Sequence, residues 1–212
     1  MKNYFTPLCC IAMVLLVGSC TKEPLNNLSE DEGRIYVTKH DETANFGTFQ
    51  TFSIADSVAV IEDNQFSGLA LTSVDLAYVQ AVKDQMQQRG YTLVARDANP
   101  DLAINVNRIY NSYTGIFSYN DYMNYYNGYW DPYYWGYPGY DFYFPSYYGF
   151  YEITEGALSI DFFDLMNAAS GGDNNIKGIW NGLIRGTGTF REENAAGGVQ
   201  TLFDQSTYIQ IN

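Results

Sequence analysis

Residues 101–110 (DLAINVNRIY) alternate in polarity. Leu102, Ile104 and Val106 share one side of an extended chain, and Asn105 and Asn107 share the other. The same period returns in residues 155–164, where Leu158, Ile160 and Phe162 alternate with polar neighbours that include Asp161. It returns again in residues 176–189, with Ile176, Trp180 and Ile184 set against polar or small residues. A period of two in three separate stretches demands a sheet. Strands with one apolar side imply an open antiparallel or mixed sheet, buried on one face and wet on the other. On this reading Asn105, Asn107, Arg108 and Asp161 face solvent.

The covering elements follow from a longer period. Thr72 or Ser73 can cap a helix, and Asp75 suits its first turn. Leu76, Val79, Val82 and Met86 then recur at helical spacing, and Gly90 marks the stop. Residues 194–205 form a second amphipathic stretch with Val199, Leu202 and Phe203 inward, weakened at its start by Gly197-Gly198. Short strands are expected at 46–54, with one irregularity, at 91–95 and at 208–211; residues 56–68 lack a period and read as a loop. The expected architecture is a single α+β domain over residues 34–212. Two helices pack on one face of a four- to five-stranded mixed or antiparallel sheet.

One stretch fits neither period. Residues 110–151 hold 15 of the 20 tyrosines, together with Trp130 and Trp135, separated by Gly, Asn, Asp and Pro. Asp121, Asp131 and Asp141 recur every ten residues, but no helical or strand pattern accompanies them. A segment this long inside a compact domain is functional or poorly ordered. Tyrosine offers an apolar face and a hydroxyl at low entropic cost, so clusters suit recognition. Within this insertion, at 111–151, the candidate ligand or partner surface is Tyr125, Tyr126, Trp130, Tyr133, Tyr134, Trp135, Tyr137 and Tyr140. Three readings compete: a partner-protein surface, a glycan or peptidoglycan site that stacks sugars on the rings, and a loop that merely covers part of the sheet.

The N-terminus concerns address. Lys2 precedes an apolar run from Leu8 to Val17, long enough for a signal peptide and too short to span a bilayer. Val17-Gly18-Ser19-Cys20 resembles a lipobox, so residues 1–19 are expected to be a signal peptide and Cys20 the lipidated first residue of the mature chain. Cys9 and Cys10 leave with the leader, and Cys20 is the third and last cysteine. No disulfide or thiolate metal site is therefore expected. Residues 20–33 read as an acidic tether. Several acyl chains make a stable membrane anchor, and the expected address is the outer membrane of a Gram-negative-type bacterium, on the periplasmic side.

Charge narrows the partners. The formal net charge is −13, and Lys2 is the only charge in the leader, which puts the mature chain at −14. Such acidity excludes nucleic-acid binding by phosphate neutralisation. It also excludes a basic patch for anionic lipid. His40 is the only histidine and sits in a polar stretch, Lys39-His40-Asp41-Glu42. No nucleophile elbow or phosphate loop is present. Gly171-Gly172-Asp173 suits a hairpin turn and lacks the ligand spacing of a calcium loop. Paired carboxylates at Asp161, Asp164 and Glu155 are the remaining acid–base candidates. No cofactor, metal or catalytic residue is expected.

Three motifs, in order, carry a family resemblance. Arg89-Gly90-Tyr91 follows an amphipathic helix, and Asn99-Pro100-Asp101-Leu102 opens a strand. Gly156-Ala157-Leu158-Ser159-Ile160-Asp161 is followed by Trp180-Asn181-Gly182. With a Tyr/Gly-rich insertion before the Gly-x-Leu strand and a C-terminal helix ending near residues 205–209, the chain resembles the lipoproteins of the domain of unknown function 4136 family over residues 34–212. The resemblance implies a periplasm-facing α/β lipoprotein domain and carries over no catalytic residue. The expected function is therefore a non-enzymatic envelope scaffold or partner-binding domain, with a glycan-binding module as the alternative and an envelope hydrolase last.

Overall fold

The computed structural model describes residues 33–63, 65–110, 116–117, 131–145, 151–152, 156–170 and 172–211. Among the described residues, nine strands form one mixed sheet. Its centre is β6 (Leu102–Tyr110), β10 (Ala157–Asp164) and β11 (Asn175–Gly186), all antiparallel, with β1 (Arg34–His40) outside β11. The far edge of β6 is shared end to end by two parallel neighbours, β2 (Thr51–Ile54) and β3 (Val58–Glu62). β2 carries β5 (Thr92–Leu93), and β3 carries β4 (Gln65–Ala70). β8 (Asp141–Tyr143) joins the start of β11 in parallel. A separate two-stranded pair links β7 (Ile116–Phe117) to β9 (Tyr151–Glu152).

The α+β class holds, but the sheet is nearly twice the expected size. The additional strands have a common physical cause. β3 runs Val-Ala-Val-Ile, with Val58, Ala59 and Ile61 all buried. A strand covered on both sides loses its alternation and reads as a featureless apolar run. So the expected loop at 56–68 is instead most of the β3–β4 hairpin, turning at Asp63 with a left-handed φ of 47°. β1 lies in a polar stretch whose pairing with β11 no local pattern announces. The expected strand at 46–54 begins as a 3-10 turn at Phe46–Thr48, and the one at 91–95 shrinks to two residues. The expected last strand at 208–211 is a series of turns in which Ile211 N–H donates to the Arg89 carbonyl (3.0 Å) and buries Ile209.

Both helices lie where expected, on one face. α1 (Ser73–Gln88) is capped by Thr72, whose hydroxyl accepts from Asp75 N–H while the Asp75 carboxylate accepts from Thr72 N–H (2.7 Å). Such a box is worth about 1 kcal/mol. Asp75 also meets Arg108 Nε on β6 at 3.0 Å, which ties the helix start to the sheet. Leu76, expected inward, is 51% exposed. Val79, Val82 and Met86 are buried as expected, and Asp75, Tyr78 and Ala81 complete the inward stripe in place of Leu76. Tyr78 takes the core place and donates its hydroxyl to the Thr189 carbonyl (2.6 Å). α2 (Glu192–Asp204) buries Val199, Leu202 and Phe203 against Trp180 and Ile184 of β11. Gly198 costs helix propensity but lets α2 approach: a Cβ there would sit 3.0 Å from Ile184 Cδ1.

The sheet's second face is also covered, against the one-sided expectation. It holds a separate apolar cluster built on Ala103, Ile109, Ala157, Phe163, Ile176 and Leu183. Trp135 and Phe142 from the tyrosine-rich stretch close over it, with Tyr134, Tyr137, Tyr140 and Phe144 at the margin. Phe142 and Phe163 rings pack 4.5 Å apart. The sequence period found the three central strands but assigned one of their faces to the wrong medium. It also set Ile176 with Trp180 and Ile184, whereas an irregularity in the β10–β11 pairing sends Ile176 to the second cluster.

Candidate functional site

Two places on this second face gather polar chemistry. The first is a row of side chains across the sheet centre. Register aligns Lys39 with Asn181, Asn181 with Asp161, and Asp161 with Asn105. Ser159 and Asn107 stand paired in the adjoining row. Asn105, Asn107, Ser159, Asp161 and Asn181 are all buried. Asp161 Oδ1 accepts from Asn181 Nδ2 at 2.7 Å. Its Oδ2 accepts from Asn107 Nδ2 at 2.9 Å and from the Ser159 hydroxyl at 3.3 Å. Burial also pushes the Lys39 ammonium below the usual lysine range. Donors converging on a carboxylate make it tolerable inside a protein and fix strand register. This row is a locked network: Asn181, Asn107 and Ser159 all donate to Asp161.

The second place is a cleft beside the aromatic cover. Residues 131–137 form a tight turn that the sequence specifies locally. Asp131 caps it by accepting from Tyr133 N–H (2.8 Å), Pro132 takes the first helical position, and Gly136 ends it in a left-handed conformation with φ 87°. The rings then divide. Trp135 is 3% exposed and belongs to the core of the face. Tyr134 donates its hydroxyl to Asp56 Oδ1 (3.0 Å), while the Arg96 guanidinium lies 4.2 Å over its ring and donates to its carbonyl (2.9 Å). Tyr137 donates to the Leu165 carbonyl (2.9 Å) and packs edge-on to Tyr140. Burial raises the Tyr134 and Tyr137 phenols above the ordinary tyrosine value; at Tyr134 the Asp56 N–H and Arg96 work against it and the Asp56 carboxylate with it. Tyr133 differs from all of these: it is 70% exposed.

Between this turn and the 3-10 turn at Arg96–Ala98 lies an open cleft of about 650 Å³. Pro100, Leu165 and Trp135 form its buried floor, and Asp97, Asn99, Asp131 and Tyr133 stand at its rim. The size suits a small ligand or a few residues of a larger one.

The sequence candidates therefore separate. Tyr133 lines the cleft as an exposed ring, whereas Tyr134, Trp135, Tyr137 and Tyr140 serve mainly as cover. Cys20, Tyr125, Tyr126, Trp130 and Glu155 lie outside the described residues. Asp161 is not a solvent-facing residue, and neither are Asn105 and Asn107. Arg108, with 13% of its side chain exposed, points to the opposite face, toward Asp75. Asp161 and Asp164 lie three positions apart on β10 and so face opposite sides of the sheet. Burial raises the Asp164 carboxyl even though Asn167 donates to it twice. His40 is stacked on Tyr208 with ring centroids 4.0 Å apart. Among the described residues no group of three or more His, Cys, Asp or Glu is placed to hold a metal ion. Sequence reasoning missed Asn181 and Ser159, which only cross-strand register brings to Asp161. It also missed Arg96, Asp97 and Asn99, although Asn99-Pro100 is a turn signal and Asn99 adopts a left-handed φ of 52°.

Two helices on one face of a large mixed sheet, with an aromatic strap on the other, define a layered α+β domain. The model of the domain of unknown function family DUF4136 matches residues 36–206, and the chain belongs to that family. It is similar in structure to a DUF4136 family protein from Bacteroides thetaiotaomicron VPI-5482, at 25% identity and a TM-score of 0.70. That likeness covers 84% of this chain and 98% of the other. A comparison with curated proteins gives no match.

Proposed function

We propose that the protein is a lipid-anchored binding module of the bacterial cell envelope, and that an envelope partner docks on the cleft beside Tyr133. The lipobox at residues 17–20 supports acylation of Cys20. Residues 20–33 would then tether the domain, with a reach of about 45 Å if fully extended. No helix among the described residues is long and apolar enough to cross a membrane, so on this reading the lipid supplies the attachment. The expected location is the periplasmic side of an outer membrane.

The observation that carries the binding role is the contrast within a single turn. Tyr134, Trp135 and Tyr137 bury their rings or spend their hydroxyls on the fold, while Tyr133 presents its ring to solvent at the rim of a concave site. An exposed aromatic held by a capped turn costs little entropy to immobilise on binding. A scaffold or binding role suits this arrangement better than hydrolysis. Asp161 is enclosed by donors, and Asp164 points to the opposite face.

Two variants test the reading. Cys20→Ala is expected to remove the protein from the membrane fraction. Tyr133→Ala, in the membrane-anchored chain, is expected to abolish cross-linking to the envelope component that the wild type captures. An unchanged set of cross-linked components in Tyr133→Ala would overturn the assignment of the cleft.

A further inference from the structure

We infer that the cleft beside Tyr133 is a subsite for a neutral oligosaccharide, with the Tyr133 ring as stacking platform and the Asp97, Asn99 and Asp131 side chains at the rim as partners for the sugar hydroxyls. The inference rests on the binding-module reading and names the class of ligand. Three observations carry it.

The first is the shape of the polar and apolar surface. A pyranose ring has an apolar C–H face and hydroxyls around its edge. The cleft offers the complement: a 70% exposed aromatic plate with Asp97, Asn99 and Asp131 around the same rim. Carboxylate and amide oxygens accept from sugar hydroxyls, and the Asn99 amide can also donate.

The second is the floor. Trp135 is 3% exposed and lines the cleft, and its Nε1 has no hydrogen-bond partner among the described residues. An indole nitrogen only donates, and leaving it unpaired in the interior is costly. That nitrogen is shielded from solvent, so the indole serves the site as part of its floor beside Pro100 and Leu165 and not as a donor. The neighbouring tyrosine hydroxyls are engaged, because Tyr134 and Tyr137 donate to Asp56 and Leu165, which leaves recognition to the rim.

The third is charge. Arg96 is the only cation among the described residues lining the cleft, and its guanidinium is engaged by the Tyr134 ring and carbonyl. Asp97 and Asp131 set the local sign, in a chain of net charge −13. Phosphorylated, sulfated or uronic sugars are repelled, and neutral sugars are not.

The experiment is calorimetric titration of the full chain in detergent with chitotetraose, cellotetraose and xylotetraose. In parallel, the Trp135 indole N–H is followed by NMR and assigned through Trp135→Phe. We expect saturable binding of at least one of these sugars together with a shift of the Trp135 indole proton. Tyr133→Ala and Asp97→Ala should each weaken binding about tenfold or more, whereas Tyr133→Phe, which keeps the platform, should stay within about threefold. Silence with all three sugars overturns the inference. So does binding that Tyr133→Ala leaves unchanged, or a preference for tetragalacturonate or a lysine-rich peptide. If the sugars fail while Tyr133→Ala still abolishes the envelope cross-link, the sugar assignment falls and the binding-module reading stands.

Discussion

The two faces of the central sheet are built by different rules, and residues 107 and 108 show it at adjacent positions of one strand. Arg108 points to the helices and meets Asp75 at 3.0 Å. Asn107 points the other way and donates to Asp161 at 2.9 Å. The helix face is an apolar core with an ion pair at its margin, where the α1 cap already holds the acid. The other face places a carboxylate, amides and a hydroxyl at mid-sheet, beside an aromatic cluster closed by a short strap. One face gains its stability from amphipathic helices. The other joins apolar packing to a polar network whose register must be right.

That difference can be broken one residue at a time. The largest effect is expected from Arg108→Leu, which leaves Asp75 buried without its cation. The loss should be about 3–5 kcal/mol, measured by urea unfolding. Restoring the charge balance with Asp75→Asn in the same chain should recover part of it. A smaller loss, about 1–3 kcal/mol, is expected from Asn107→Leu, because Asp161 keeps its bonds from Asn181 and Ser159. If Asn107→Leu cost more than Arg108→Leu, the polar row would be the main stabilising feature and the comparison would invert.

The smallest effect tests the rim rather than either face. Burial alone would raise the Asp41 carboxyl, but hydrogen bonds from Lys177 and Thr43 outweigh it and hold Asp41 below its ordinary range. A lowered carboxyl stabilises the fold fully above its unfolded value, and the gain is lost as pH falls through the folded value. Lys177→Gln should therefore lower stability at neutral pH, leave it nearly unchanged in acid below the folded value, and so flatten the acid limb of the stability curve. Equal sensitivity to acid in both chains would remove the pair from the account.

The sequence revealed the helix face far better than the covered one. Cap, spacing and stop placed α1 between Thr72 and Gly90, and alternation placed β6, β10 and β11. These signals are local. The medium outside a strand is not: Asn105, Asn107 and Asp161 look the same in sequence whether they meet water or one another. Only pairing between residues more than 50 positions apart distinguishes the two cases. β3 was hidden for the opposite reason, since burial on both sides erased its period. In the tyrosine-rich stretch the described elements are only two to four residues long, too short to write a period. The turn at 131–136 was nonetheless written in Asp131, Pro132 and Gly136, and its rings play different parts set by their partners across the fold.

The central claim is that this turn combines a structural cover with one residue left for binding. Urea unfolding of Trp135→Ala and Tyr133→Ala, measured side by side, tests it most directly. Trp135→Ala should lose about 3 kcal/mol as the second face opens a cavity. Tyr133→Ala should stay within about 0.5 kcal/mol of the parent, as an exposed side chain does. Equal losses in the two variants, or a stable Trp135→Ala, would contradict the division of roles within the turn.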